Sequence, residues 1–174
     1  VAFIMDTYFG FKLPKAMHKE FANVIQKVSE VKGEVAPEEI MEQFKKEYLD
    51  QKEPLHFRRM HITDMSGEGK TFETSIEVHY TDHGIERSFE AVGNGPIDAV
   101  RRGIHQNLGL EVKILDYEEH ALQSGSNSQA AAYIHLLDSN TGHVTYGVGV
   151  SSNITRASVR AIFSALNRLG LGSR

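Results

Sequence analysis

A short segment that contains two glycines, Gly93–Ala99, has the residue types and the spacing of an anion-binding loop. Its sequence is GNGPIDA, and Gly93 and Gly95 permit backbone angles or close approaches that a side chain would forbid. Pro96 suits the first position of a helix, where a missing N–H costs nothing. The free N–H groups and the partial positive charge of that helix end would face the loop, where a small carboxylate can dock.

The same spacing is equally typical of a tight strand-to-helix turn that binds nothing. A dinucleotide-binding loop is a poor fit, because the GxGxxG pattern requires a third glycine where Asp98 stands. The neighbouring pair Arg101 and Arg102 is most simply a solvated helix face. The residues alone therefore leave two interpretations open, a structural turn and an anion site.

No other segment of the sequence presents a complete catalytic or metal-binding constellation. The chain has nine histidines but no HxH or HExxH pattern, and a predicted hairpin separates His79 from His83. The carboxylates of Asp116, Glu118 and Glu119 are more typical of a solvated strand edge than of an acid–base pair. We therefore predict no catalytic residue, no metal site and no cofactor in this chain.

The composition is that of one ordinary domain with a small appendage. The 174 residues are 40% hydrophobic and carry a net charge of −4, which argues against a nucleic-acid surface. The absence of cysteine excludes disulfides and fits a cytoplasmic protein. We see neither a signal peptide nor an apolar run of membrane-spanning length. The apolar start, VAFIM, is interpreted as a cut inside a longer protein.

Helical periodicity marks the first part of the chain and ends near Pro54. Apolar residues recur at helical spacing over Pro14–Lys32, and Gly33 ends that helix. Pro37, followed by two glutamates, starts a second helix. The sequence therefore predicts a helical linker subdomain over residues 1–53 and a second domain over residues 54–174.

The second part repeats one order of elements, three strands and then a helix. Turn sequences separate the strands, so neighbouring strands should be antiparallel. The alternation breaks near Ile114–Tyr117, which predicts a bulge, and 123–128 reads as a polar loop. The predicted fold class is α+β, with two βββα units in a pseudo-two-fold arrangement. The predicted elements are Phe57–Met65, Lys70–Tyr80, Ile85–Val92, Pro96–Leu108, Leu110–His120, Ala130–Leu137, Val144–Val150 and Ile154–Leu169.

Small and aliphatic residues on the last two predicted strands indicate that other parts of the protein pack closely against them. Alanine is a poor strand former, yet three alanines begin the segment Ala130–Ile134. They permit either close packing of a helix on the sheet or a pocket with small walls. Together with Val144–Val150, these residues also predict a surface that a second copy of the chain covers.

Five segments resemble the C-terminal leucine-sensing domain of the 2-isopropylmalate synthase family, and the first 53 residues resemble the linker subdomain of its longer form. The matching segments are GNGPIDA at Gly93–Ala99, LDYEEHAL at Leu115–Leu122, QAAAYI at Gln129–Ile134, GVGV at Gly147–Val150 and NITRASVRAIFSALNR at Asn153–Arg168.

This resemblance implies a regulatory function. The family's enzyme condenses acetyl-CoA with 2-oxoisovalerate on a metal-bearing TIM barrel, which this sequence lacks. The fragment alone should therefore be inactive, and a divalent metal is expected only in the missing catalytic domain. In the family, regulatory domains pair as a homodimer with leucine between them as feedback inhibitor. Two alternatives remain, the isoleucine-responsive domain of citramalate synthase and a dimerisation module without a ligand.

The resemblance also implies a leucine pocket built from the glycine-containing loop and three later segments. In this pocket, Asp98 should face the amino group of leucine or solvent, because a second anion would repel the ligand carboxylate. The implied pocket residues are Gly93, Asn94, Gly95, Pro96, Ile97, Asp98, Ala99, Ile114, Tyr117, Ala121, Ser128, Ala130 and Ala132.

Overall fold

The computed structural model describes residues 1–49, 51–122 and 128–171, so most of the predicted loop 123–128 lies outside the described residues. None of the described helices is long and apolar enough to cross a membrane. The helices are α1 (Ala2–Phe9), α2 (Met17–Lys32), α3 (Pro37–Phe44), α4 (Pro96–Leu108) and α5 (Ile154–Arg168). The strands are β1 (Leu55–Asp64), β2 (Thr74–Asp82), β3 (Ile85–Gly93), β4 (Val112–Leu122), β5 (Gln129–Asp138) and β6 (Val144–Ser151).

The helical unit at the start of the chain contains α1, α2 and α3, followed by one π-helical turn, Lys45–Leu49. The two predicted helices are confirmed; α1 was not predicted. Helix α2 buries Met17, Phe21 and Ile25, which lie on one face because they are four residues apart. At the start of α3, the Glu39 carboxylate accepts a hydrogen bond from the Ala36 N–H.

The six strands form two three-stranded antiparallel sheets, in the orders β1–β2–β3 and β4–β5–β6. Each sheet is followed by a helix, so the predicted α+β fold with two βββα units is confirmed. The predicted bulge is also present, since the register between β4 and β5 shifts between Ile114 and Asp116. One hydrophobic core joins the two units; in it the Phe163 ring of α5 lies 5.7 Å from Phe57 and 5.8 Å from Tyr80.

Two glycines allow β6 to lie directly against α5. A Cβ atom at Gly147 would lie 2.0 Å from the Ala161 carbonyl oxygen, and one at Gly149 would lie 2.0 Å from the Ala157 carbonyl oxygen. Any side chain at either position would collide with helix backbone, which cannot move aside as a flexible side chain can. The short contact therefore fixes α5 against the second sheet.

The other face of the second sheet is covered by the helical unit of the same chain. Ala131, Tyr133, Tyr146 and Val148 share a hydrophobic cluster with the buried residues of α1, α2 and α3. This corrects the expectation that these strands need a second copy to cover them. The covering helices precede the sheet by about a hundred residues, and strand periodicity carries no information about such a partner.

A charged cluster, the Arg168 clamp, joins the end of α5 to the helical unit. Arg168 donates hydrogen bonds to the carboxylates of Glu20 and Glu47, the latter at 2.9 Å, and to the Tyr146 carbonyl at 2.7 Å. Its guanidinium lies 4.2 Å from the centre of the Tyr48 ring. Only 10% of the Arg168 side chain is exposed, so these contacts replace water almost completely.

Replacement of Arg168 by methionine should lower the free energy of unfolding by about 3 kcal/mol, because two poorly solvated glutamates lose their cation. Urea unfolding of the chain measures this loss. Lys32→Met is the matched control, since Lys32 is 58% exposed in its ion pair with Glu39, and its loss should be below about 1 kcal/mol. Equal losses in the two variants would show that the clamp contributes no more than a surface ion pair.

Candidate functional site

The glycine-containing loop connects β3 to α4, and both of its glycines are required by its geometry. Gly95 precedes the helix with φ of 137°, a conformation that side chains rarely adopt. At Gly93 a Cβ atom would lie 2.4 Å from the Ala99 nitrogen, so this position needs glycine for close approach. Gly95 is thus required for its backbone angle and Gly93 for close packing, and the sequence pattern suggested both requirements.

Asp98 holds the loop closed on the first turn of α4. Its carboxylate accepts hydrogen bonds from the Asn94 N–H, Arg101 and Arg102, each at 2.9 Å. Burial alone would raise the pKa of Asp98, but the Asn94 N–H and the guanidiniums of Arg102 and Arg101 outweigh it and lower the pKa to about 2. Asp98 is therefore already paired within the loop, and Arg101 and Arg102 are its half-buried partners rather than solvated residues.

An open groove of about 710 Å³, the α4 groove, lies beside this helix end. No described side chain caps the helix, so the N–H groups of Ile97 and Asp98 have no partner within α4. Apolar side chains, two cations and the Asp98 carboxylate line the same groove. The residues that line the groove are Asn94, Gly95, Pro96, Ile97, Asp98, Arg101, Lys113 and Ile114. Six of them are predicted site residues, and Arg101 and Lys113 were missed.

A second groove of about 350 Å³, the α5 groove, lies where β4 and β5 meet the start of α5. Asn153 caps α5 by accepting a hydrogen bond from the Arg156 N–H at 2.9 Å. The residues that line the groove are Glu119, His120, Ala121, Ser128, Gln129, Ala130, Ser152 and Ile154. Three of them, Ala121, Ser128 and Ala130, are predicted site residues.

The structure thus divides the predicted site residues between two grooves on one chain. Ile114 and Ala121 both belong to β4, and at roughly 3.3 Å per residue they are about 20 Å apart. Tyr117 lies between them, with its hydroxyl 3.0 Å from the Ser158 hydroxyl of α5 and hydrogen bonded to Glu119. Burial raises the pKa of Tyr117 to about 12, with Glu119 adding to the rise. Tyr117 therefore stays protonated as a hydrogen-bond donor.

Three predicted site residues, Gly93, Ala99 and Ala132, are buried and lie in neither groove. Ala132 is opposite Gly149 in the register of β5 and β6, and it belongs to the core that α5 covers. Close packing thus accounts for Ala132, whereas Ala130 is half-buried and lines the α5 groove. The pocket explanation of the alanines stays a prediction for Ala130.

Several groove residues were not predicted, and only some had a sequence signal. Arg101 is three residues after Asp98 on a predicted helix, a spacing that places the two side chains on one face. Lys113 and Ile154 reach the grooves only through contacts between distant segments. Among the described residues, no group of three or more histidine, aspartate or glutamate side chains is arranged to hold a metal ion.

Comparison with known proteins gives a family match over most of the chain. Residues 34–170 match the family described as the LeuA allosteric (dimerisation) domain. The chain is 41% identical over 169 residues to a 2-isopropylmalate synthase from Clostridium acetobutylicum and 40% identical over 169 residues to one from Mycobacterium leprae. These alignments cover 96% and 97% of this chain but only 30% and 27% of the relatives. The chain thus spans less than a third of their length.

Replacement of Asp98 by asparagine should remove a pH-dependent part of the stability. The folded pKa of about 2 lies below the ordinary 3.8, so the carboxylate stabilises the fold above about pH 4 and loses this effect as the pH falls toward 2. At neutral pH the substitution should cost about 1–2 kcal/mol, with allowance for solvent screening. Unfolding curves between pH 7 and 2 measure both effects.

Glu118→Gln is the matched control, because Glu118 is an exposed carboxylate on β4. As the pH falls, the free energy of unfolding should decrease as steeply in the Glu118 variant as in the parent. It should decrease less steeply in the Asp98 variant. Identical pH dependence in all three proteins would contradict the role given to Asp98.

Proposed function

Because the chain belongs to the LeuA allosteric (dimerisation) domain family, we propose that it is the leucine-binding regulatory part of a 2-isopropylmalate synthase. In this proposal leucine is a feedback inhibitor of leucine biosynthesis in the cytoplasm. The condensation of acetyl-CoA with 2-oxoisovalerate takes place on a catalytic domain outside this sequence. The observation that carries the proposal is the α4 groove, which joins an uncapped helix end to two isoleucines.

The carboxylate of leucine binds at the start of α4. The N–H groups of Ile97 and Asp98 point out of the helix end, where the helix dipole favours a negative charge. Arg101 and Lys113 line the same groove and add positive potential. Gly95 leaves open space beside these N–H groups, since no atom lies within 4 Å of the position that its Cβ would take.

The ammonium and the isobutyl group of leucine have separate partners. The Asp98 carboxylate already accepts three hydrogen bonds, so backbone carbonyls of the loop are the better acceptors for the ammonium. Ile97 and Ile114 are partly buried and pack against the core from the groove side. Burial of the isobutyl group against them is worth roughly 2–3 kcal/mol.

A second copy of the chain completes the pocket. The α4 groove is open and larger than one amino acid, and the α5 groove lies about 20 Å away along β4. Leu115 on β4 and Ile154 on α5 are exposed hydrophobic residues near the two grooves. Strand β4 is also the edge strand of its sheet. A second copy that covers this region would bring its α5 groove, with Ala121, Ser128 and Ala130, toward the α4 groove of the first copy.

Calorimetric titration with leucine should give micromolar binding, on the order of −8 kcal/mol. Charge-assisted hydrogen bonds contribute roughly 1.5–3 kcal/mol each, and the ordering of two chains opposes them. Gly95→Asp should abolish this binding, because it places a negative charge where the ligand carboxylate comes close. If that variant binds leucine as tightly as the parent, the ligand is not at this loop.

Gly95→Ala is the control for backbone strain, because any side chain at this φ is strained. It should retain measurable leucine binding, so that the loss in the aspartate variant is assigned to charge. Competition between leucine and isoleucine then separates the leucine proposal from an isoleucine-responsive domain of the citramalate synthase type. Absence of binding by either amino acid would leave a dimerisation module without a ligand.

Sedimentation equilibrium should show a dimer at micromolar concentration, because a stable pair of chains buries at least roughly 1,000 Å². Leu115→Glu should weaken the dimer, since it places a charge on an exposed hydrophobic residue of the edge strand. Val144→Glu is the matched control, as Val144 is equally exposed, at 49%, at the start of β6. A monomer in the parent protein, or equal weakening by both variants, would contradict this interface.

A further inference from the structure

A cavity of about 330 Å³, the seam cavity, lies where the helical unit meets the second βββα unit. It is separate from the α4 and α5 grooves and shares no lining residue with either. Asn167 of α5 holds one side of this junction, because its side-chain amide donates to the carbonyls of Gln51 and Leu55 at 2.8 Å. These two bonds attach the Gln51 and Leu55 carbonyls to α5 beside the cavity.

The polar side of the seam cavity is positively charged. Lys52, His56 and Arg160 all line it. Within the described residues, neither Lys52 nor Arg160 forms an ion pair with a carboxylate. Arg160 is held at the rim by a hydrogen bond from its Nη1 to the Val150 carbonyl at 2.7 Å. Cations that lack a counter-ion around a concave site attract an anion.

The direction of the pKa shift of His56 agrees with a positive charge around the cavity. Partial burial is the main cause that lowers its pKa, followed by the nearby charges of Arg58, Lys52 and, more weakly, Arg160, with Glu53 acting in the opposite direction. The charges near the imidazole are thus predominantly positive. An anion bound there would oppose this effect and raise the pKa of His56.

Apart from Gln51 and Ser164, the remaining residues that line the seam cavity are apolar or glycine. Leu55, Phe57 and Phe163 come from the core, and Leu49 comes from the π-helical turn. Gly149, on β6, also lines the cavity, and the α5 backbone occupies the place of its missing side chain. A volume of this size lies at the lower end of the range that holds a small molecule. The site can therefore accept a short branched hydrocarbon body next to a charged head.

We propose that the seam cavity binds a small organic acid, with its carboxylate at Lys52, His56 and Arg160 and its branched apolar body against the opposite wall. The two cations, Lys52 and Arg160, disfavour an α-ammonium group, so the ligand is a simple, hydroxy or oxo acid and not an amino acid. The seam cavity is thus a second anion site, distinct from the proposed leucine pocket in both place and chemistry.

An occupant of the seam cavity would contact both sides of the junction at once. Leu49 and Lys52 belong to the segment that follows the helical unit, and Arg160 and Phe163 belong to α5. Binding would therefore stabilise the attachment of the helical unit to α5, since a ligand that binds only the docked arrangement favours it. The ligand would thus add to the stability of the same junction that the Arg168 clamp stabilises.

Heteronuclear NMR titration of the whole chain with isocaproate tests the proposal. Isocaproate carries the carboxylate and a branched chain, and isohexanol is its neutral counterpart of the same shape. Isocaproate should shift the amide signals of residues around Lys52, His56 and Arg160 and should raise the pKa of the His56 ring. Isohexanol should bind at least about tenfold more weakly, because the charge-assisted hydrogen bonds are lost.

Lys52→Gln and Arg160→Gln should each weaken isocaproate binding by about tenfold or more. Arg87→Gln is the matched control, since it removes the same charge from β3 outside the cavity and should leave the affinity within about twofold of the parent. Equal binding of isocaproate and isohexanol, shifts confined to the α4 groove, no shifts at all, or equal weakening by all three variants would each overturn the proposal. The result is independent of leucine binding, which is measured separately.

Discussion

The contact between the backbones of β6 and α5 is the constraint on which the rest of the structure depends. Because Gly147 and Gly149 present no side chain, α5 lies against the second sheet at a distance that any other residue would prevent. The first turn of α5 then borders the α5 groove, while its last residue, Arg168, anchors the helical unit. One rigid helix of roughly 22 Å thus connects the proposed ligand region with the segment that precedes the domain.

The Arg168 clamp and the shared hydrophobic cluster make this connection stiff. The second sheet is covered on one face by α5 and on the other by the helical unit, so a shift of α5 must be accompanied by a shift of the helices that contact it. A buried ion pair held by several hydrogen bonds tolerates little misalignment. An effector bound beside α5 therefore has a physical route to the start of this chain.

The sequence predicted what depends on local pattern and missed what depends on distant contacts. Strand alternation, turn residues and helix ends were sufficient to predict both βββα units and the bulge after Ile114. The ion pairs of Asp98 were not predicted, because they depend on how the loop closes on α4. The placement of the helical unit on β5 and β6 had no periodic signal. The residue pattern marked the Gly93–Ala99 loop as a candidate anion site, and the resemblance supplied the rest of the predicted site residues. The structure divided most of them between two grooves.

A crystal structure of the chain grown with leucine tests the central claim most directly. The account predicts leucine in the α4 groove, with its carboxylate at the N–H groups of Ile97 and Asp98 and a second copy of the chain closing the groove. Leucine in the seam cavity, or leucine enclosed by one chain at the α5 groove alone, would contradict it.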